Sequence, residues 1–248
     1  MKLLIDIGNT LCKVAVFEKD TILFKKERSK LSAETIIKEV SKYAISHCLI
    51  SDVKQIDKQF YKKINDVFPI INWSYKNLPL SLNYNTPETL GPDRIAAAVG
   101  AKYAFPKQNV LVIQCGSCIT YEYLSAEGIY QGGAISPGIE TRFKALHTFT
   151  GKLPLLKIED VPNILGKTTK ESILSGVLIG ITKEVDSMIE GFKQQTNNNL
   201  SVVLTGGHAI FFDKNLKSSK FAVSDLVLKG LNKILDLYVK NDKTHINN

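Results

Sequence analysis

Three short stretches of this 248-residue chain hold residues whose types and spacing could handle phosphate. The first is Asp6-Ile7-Gly8-Asn9-Thr10, a carboxylate near the end of an apolar run, followed by a tight turn and then by Lys13. The N–H groups of such a turn, with the Asn9 and Thr10 side chains, can hold phosphate oxygens. A carboxylate repels phosphate, so Asp6 would act through Mg²⁺, which takes one or two carboxylates together with waters and substrate phosphates. Lys13 could add a positive charge. The same residues would also make a plain β-turn whose Asp and Asn bond locally. The second stretch, Cys115-Gly116-Ser117-Cys118-Ile119-Thr120, repeats the pattern, and Gly116, Ser117 and Thr120 could cradle phosphate from an opposite wall. The third, Thr205-Gly206-Gly207, is a strand-end turn that could let a flat purine approach the backbone, or an ordinary strand-to-helix turn. No GxxxxGK[ST] loop occurs, so this is not a P-loop.

A candidate base lies in Gly91-Pro92-Asp93-Arg94. Gly91 precedes a helix, Pro92 suits its first position and Asp93 falls in its first turn. There Asp93 could merely complement the helix dipole, or serve as a fixed general base for a hydroxyl proton. Arg94 could steer a carboxylate or phosphate. Pro137-Gly138 opens another helix, whose N-terminus could meet an anion. Arg142 and His147 on that helix do not share a stripe, and a lone helical His is more often structural.

The elements needed to position these residues read as follows. Residues 2–7, 11–17 and 20–26 form a meander of three strands, 32–45 a helix with Ser32 as cap, 47–53 a strand, 54–67 a charged helical stretch and 67–73 a short strand. After a turn-rich loop, a helix runs to about 105. The pattern then recurs: a strand to Gln114, a hairpin at Gly116, a third strand through Gly132 and Gly133, helices over 139–149 and 168–194, and a strand ending at Thr205. A last helix covers about 223–240, and the polar tail beyond it is expected to fray. The echo suggests an α/β protein of two similar domains, 1–108 and 109–248, with a cleft between them.

Composition narrows the function. At 44% apolar and 23% charged the chain reads as globular, and no run approaches a membrane span. Asp6 and Asn9 interrupt the apolar start, so no signal peptide is expected and the expected compartment is the cytoplasm. The formal charge of +8 invites an anionic partner, but apart from Arg28, Arg94 and Arg142 the basic residues are scattered lysines. Base readout leans on Arg, so a nucleic-acid role is disfavoured. Cys115 and Cys118 form a CxxC without a second pair or spaced histidines, which suggests apolar filling rather than zinc or redox chemistry.

Taken in order, these pieces resemble type III pantothenate kinase, of the acetate kinase/sugar kinase/Hsp70/actin superfamily. The resemblance runs through DIGNT at 6–10, Tyr84, GPDR at 91–94, the 113–122 hairpin, GGAISPGI at 132–139, ALHTFTGKLP at 145–154, GKTTKESILSG at 166–176 and TGG at 205–207. It implies two ribonuclease H-like domains with a nucleotide cleft, a homodimer, and ATP-dependent phosphorylation of pantothenate, the first step to coenzyme A. By the resemblance Asp6 handles Mg²⁺, while Gly8, Asn9, Thr10 and Lys13 meet the phosphates. Asp93 is the base. Tyr84, Gly91, Pro92, Arg94 and His147 line the pantothenate pocket, and Thr169 reaches it across the dimer. Gln114 stands where the family has the Asp of a K⁺ or NH₄⁺ site, which puts that cation in question. Ser117 replaces a Thr, and Glu122 an Asp. The competing readings are a related small-molecule kinase and a non-catalytic accessory factor for transcription.

Overall fold

The computed structural model describes residues 1–161, 163–218 and 220–246. In chain order it contains β1 (Lys2–Ile7), β2 (Cys12–Glu18), β3 (Thr21–Arg28), α1 (Ala33–Val40), β4 (His47–Asp52), α2 (Lys58–Asn65), β5 (Ser81–Leu82), α3 (Pro92–Ala104), β6 (Val110–Cys115), β7 (Cys118–Leu124), β8 (Ile129–Pro137), α4 (Ile139–Phe149), α5 (Thr169–Leu174), a π-helical turn (Ser175–Ile179), α6 (Gly180–Gln195), β9 (Ser201–Thr205), α7 (Ala209–Asn215), β10 (Phe221–Ala222) and α8 (Leu226–Ile246).

The chain divides into two compact units. One comprises Met1–Pro106, Gly128–Tyr130 and the residues from Asp225 onward; the other comprises Lys107–Glu127 and Gln131–Ser224. The sequence division at 108/109 put the last helix with the second half, whereas it belongs to the first unit. The reason is packing. α3 is buried from Arg94 to Ala101, and its small residues let α8 come close. A Cβ on Gly230 would lie 1.7 Å from Ala96 O, and one on Gly100 would lie 2.4 Å from Leu226 O.

The first unit is a four-stranded sheet in the order β3-β2-β1-β4, with an antiparallel meander and β4 parallel to β1. Leu3, Ile5 and Ile7 of β1 and Cys12, Val14 and Val16 of β2 join Ala33, Ile36, Val40 and Ile64 in one apolar cluster. Strand alternation therefore turns Leu4, Asp6 and Lys13 to the opposite face. Ser32 caps α1 by accepting from the Thr35 N–H, as its position before the apolar stripe requires.

The second unit repeats the scheme. β8, β7, β6 and β9 succeed one another as β3, β2, β1 and β4 do, and β9 is parallel to β6. Leu111, Ile113 and Cys115 enter the cluster formed with α4 to α7, so Val112 and Gln114 face the other way. β10 extends this sheet beside β9, while β5 pairs with Ile129 and Tyr130 at the start of β8.

Several boundaries differ from the sequence reading. The stretch 67–73 makes one isolated bridge, Cys48↔Ile70, rather than a strand. α1 and α2 are shorter than expected, and β5, α7 and β10 were not foreseen. α8 runs on through the polar tail to Ile246; residues 247 and 248 of that tail lie outside the described residues. Among the described residues no helix is long and apolar enough to cross a membrane. Cys115 is buried as apolar filling, but Cys118 is exposed beside the hairpin turn.

Candidate active site

In the first unit the local structure follows from the hairpin. Ile7 pairs with Cys12, leaving residues 8–11 as the loop, closed by the Gly8 N–H donating to Leu11 O at 3.0 Å. Asn9 and Thr10 are exposed at its tip. One step back, Asp6 lies opposite Lys13 on β2 and beside Ser51 on β4. Lys13 Nζ lies 4.0 Å from Glu27 Oε1. Asp6 is 8% exposed, and its Oδ1 has no hydrogen-bond partner among the described residues; neither has Ser51 Oγ.

That isolation is electrostatically costly. Burial, and then the nearby charge of Asp93, push the Asp6 carboxyl from the ordinary 3.8 up to about 6, with Lys13 and Ser51 acting against the rise. Burial also raises Asp93, opposed by the N–H groups of Arg94 and of Asp93 itself and by the Arg94 charge. The two carboxyls thus feel one another on the face of β1 turned away from α1 and α2. Asp93 is held in the first turn of α3, where Gly91 is the cap and Pro92 the first residue, as the sequence requires. A Cβ on Gly91 would come within 2.7 Å of Asp93 Oδ1, so the carboxylate fills space that only glycine leaves.

Arg94 is buried, and its Nη2 donates to the Tyr130 hydroxyl at 3.0 Å. The Tyr84 and Tyr130 rings lie 5.9 Å apart, centroid to centroid. Tyr130 O also accepts from the Asn83 N–H at 2.8 Å. Tyr130, fully buried, is therefore the shared support of Tyr84 and Arg94. The sequence reading missed it, because a single Tyr at the start of a strand carries no local signal. Ser51 was missed too; only the parallel register of β4 sets it beside Asp6.

In the second unit the equivalent hairpin pairs Cys115 with Ile119 and Gln114 with Thr120. Gln114 Nε2 donates to Thr120 Oγ1 at 3.1 Å, and Thr205 of β9 lies on its other side. Ser117 O accepts from the Gly138 N–H at 2.9 Å and from Thr141 Oγ1 at 2.6 Å. A Cβ on Gly138 would be 2.2 Å from Gly116 O. The start of α4 thus clamps the hairpin, and its Gly138 N–H is committed to Ser117 rather than left for an anion. Gly206 has φ +96°, and a Cβ there would lie 2.6 Å from Cys115 O, whereas Gly207 faces open space. This turn must be glycine at its first position.

His147 is exposed on α4 and donates from Nδ1 to Leu153 O at 2.8 Å, which ties the helix end to the following loop. Thr169 is exposed at the start of α5, next to the cap Thr168. No hydrogen bond or ion pair among the described residues joins His147 or Thr169 to the groups above.

The first unit therefore offers a tight hairpin loop, a buried carboxylate and a second carboxylate fixed at a helix start, and the second a clamped hairpin with a glycine turn. Comparison with known proteins agrees. A family model described as type III pantothenate kinase matches residues 2–191. A type III pantothenate kinase of Cytophaga hutchinsonii is 41% identical over 240 residues, covering 96% of this chain and 100% of that protein. Two solved structures share the fold. One, from Campylobacter jejuni and assigned to the Baf family of transcriptional activators, has a TM-score of 0.60 at 23% identity and covers 96% of this chain and 99% of its own. The other, the activator of the 2-hydroxyisocaproyl-CoA dehydratase from Clostridium difficile with bound ADPNP, has a TM-score of 0.56 at 12% identity, over 100% and 97% of the two chains. The chain has the two-domain α/β, actin-like ATPase fold.

The raised Asp6 value has a measurable consequence. The folded protein holds that proton more tightly than the unfolded chain does, so stability falls as pH rises from 3.8 to about 6. Asp6→Asn is expected to raise the melting temperature of the metal-free protein near neutral pH, by an amount worth at most about 3 kcal/mol. The gain should vanish below the ordinary carboxylate range. Scanning calorimetry on both sides of the window checks this.

Proposed function

This chain belongs to the type III pantothenate kinase family, and from that premise we propose how its residues move a phosphoryl group from ATP to the hydroxyl of pantothenate, the first step of coenzyme A synthesis. A kinase of this family uses ATP with a divalent metal, here taken as Mg²⁺. The donor set fits such an ion: Asp6 Oδ1 is buried and unpartnered among the described residues, and burial with the nearby Asp93 charge raises its carboxyl to about 6 despite Lys13. When bound, the ion supplies charge neutralisation between that carboxylate and the phosphate oxygens.

The chain's own groups do the rest. Gly8, Asn9 and Thr10 present the turn to the phosphates, and Lys13 adds its charge. In the second unit Gly116, Ser117 and Thr120 serve phosphate, and Gly206 and Gly207 leave room for the base. The observation that carries the reading is Asp93, a largely buried carboxylate fixed in the first turn of α3 within electrostatic reach of Asp6. It takes the proton of the pantothenate hydroxyl as the bond to phosphorus forms. Phosphoryl transfer asks little covalent work of a protein, so positioning and charge placement carry most of the effect. Tyr84, Gly91, Pro92 and Arg94 receive pantothenate, with His147, and with Thr169 supplied across a homodimer in the cytoplasm. Support for the dimer is the run of exposed apolar residues in the second unit: Ile135, Phe149, Leu155, Ile164 and Leu165.

The monovalent cation fits less well. Gln114 is neutral and turns its amide nitrogen to Thr120, so a K⁺ or NH₄⁺ site there lacks its carboxylate. Gln114→Asp is expected to create or strengthen activation by K⁺ or NH₄⁺ over Na⁺; an unchanged response moves the cation elsewhere.

An Mg²⁺-ATP assay with pantothenate tests the reading as a whole. Asp93→Asn should lower kcat by about 10²-fold or more while ATP binding holds and the protein stays folded, with a melting temperature no lower than wild type near neutral pH. Turnover like wild type in that variant removes Asp93 as base. Tyr130→Phe removes the acceptor of Arg94 and should raise KM for pantothenate roughly tenfold, with KM for ATP little changed.

A further inference from the structure

The first unit contains a cavity of about 250 Å³ that none of the residues proposed for catalysis enters, Pro92 excepted. Its walls include three aromatic side chains, Tyr61, Trp73 and Tyr75, and its charged residues are Asp52 and Glu88. Among the described residues no Lys, Arg or His lines it. The walls are set in place before any ligand arrives. Trp73 Nε1 donates to Ile50 O at 3.0 Å, and the Tyr61 hydroxyl donates to Asp52 Oδ2 at 3.0 Å. Asp52 also accepts from the N–H groups of Lys54, Gln55 and Ile56, so its side chain is fixed in position at the end of β4.

Aromatic side chains together with carboxylates, and no basic residue among the described lining, suit a cation that also has an apolar surface. They repel ATP and pantothenate, both of which are anions. The cavity's remaining wall is made by Pro87, Glu88, Leu90, Pro92 and Ile95. That segment leads into α3 and carries Asp93, with Gly91, Asp93 and Arg94 interleaved among the lining residues. An occupant would therefore brace the reverse side of the catalytic turn.

We propose that this cavity is a binding site for a small organic ammonium ion, and that its occupancy steadies the Pro87–Pro92 segment behind Asp93. The effect on turnover rests on Asp93 being the base; the binding itself does not.

Trp73 is the single tryptophan of the chain, so its fluorescence reports on this cavity alone. The probe is choline chloride, titrated at constant ionic strength against its uncharged carbon isostere, 3,3-dimethylbutanol, on the full-length protein. A saturable change with choline is expected, at least about fivefold tighter than with the isostere. Glu88 is exposed, so Glu88→Gln should fold normally and weaken choline about fivefold. Tyr75→Leu should weaken it as well. A flat titration, an equal response to the isostere, or no effect of either substitution overturns the site. In the Mg²⁺-ATP assay, saturating choline should raise kcat/KM for pantothenate about twofold in wild type and not in Glu88→Gln. Saturable binding without that change keeps the site and overturns its coupling to the catalytic turn. Binding in a protein that does not phosphorylate pantothenate would leave the site standing and overturn the kinase roles instead.

Discussion

A carboxylate kept out of water, with Lys13 and Ser51 only partly offsetting its burial, is the constraint on which the first unit depends. Asp6 can be held this way only on a strand flanked on both sides, because β2 and β4 supply the backbone bonds that keep β1 rigid around it. Its face must also be covered, and the position of Asp93 at the head of α3 makes the cover itself acidic. The resting protein is thus less stable than a neutral residue would make it. That deficit favours whatever brings positive charge to the spot.

The second unit uses the same frame for a different purpose. Asp6, Lys13 and Ser51 occupy three neighbouring register positions; Gln114, Thr120 and Thr205 occupy the matching ones. An acid, a base and a hydroxyl become an amide and two hydroxyls. One frame is charged, the other neutral and internally hydrogen-bonded through Gln114 and Thr120. The clamp of Gly138 and Thr141 on Ser117 fixes the turn of that hairpin in place.

Rigid packing links the last helix to the turn that carries Asp93. α8 approaches α3 so closely that glycine is needed at 100 and 230, which fixes the axis on which Asp93 and Arg94 are mounted. Tyr130 then completes the pocket side by accepting from Arg94 and touching Tyr84.

By itself the sequence determined the α/β class, the repeated strand-turn-strand unit, the cap at Ser32, the helix start at Pro92 and the family, because each is written in local spacing or in a contiguous motif. Asp6, Lys13, Gly91, Asp93 and the Gly206 turn were legible for the same reason. Other features were decided only in three dimensions. α8 joined the first unit because small residues far apart in the chain allow two backbones to meet. Ser51 came to lie beside Asp6, and Tyr130 beside Arg94 and Tyr84, through strand register and folding, which set residues side by side without any nearby signal. The N–H at the start of α4 went to Ser117, and the two carboxyls were raised toward neutrality, because burial and the proximity of charges are properties of the folded molecule and not of the order of its residues.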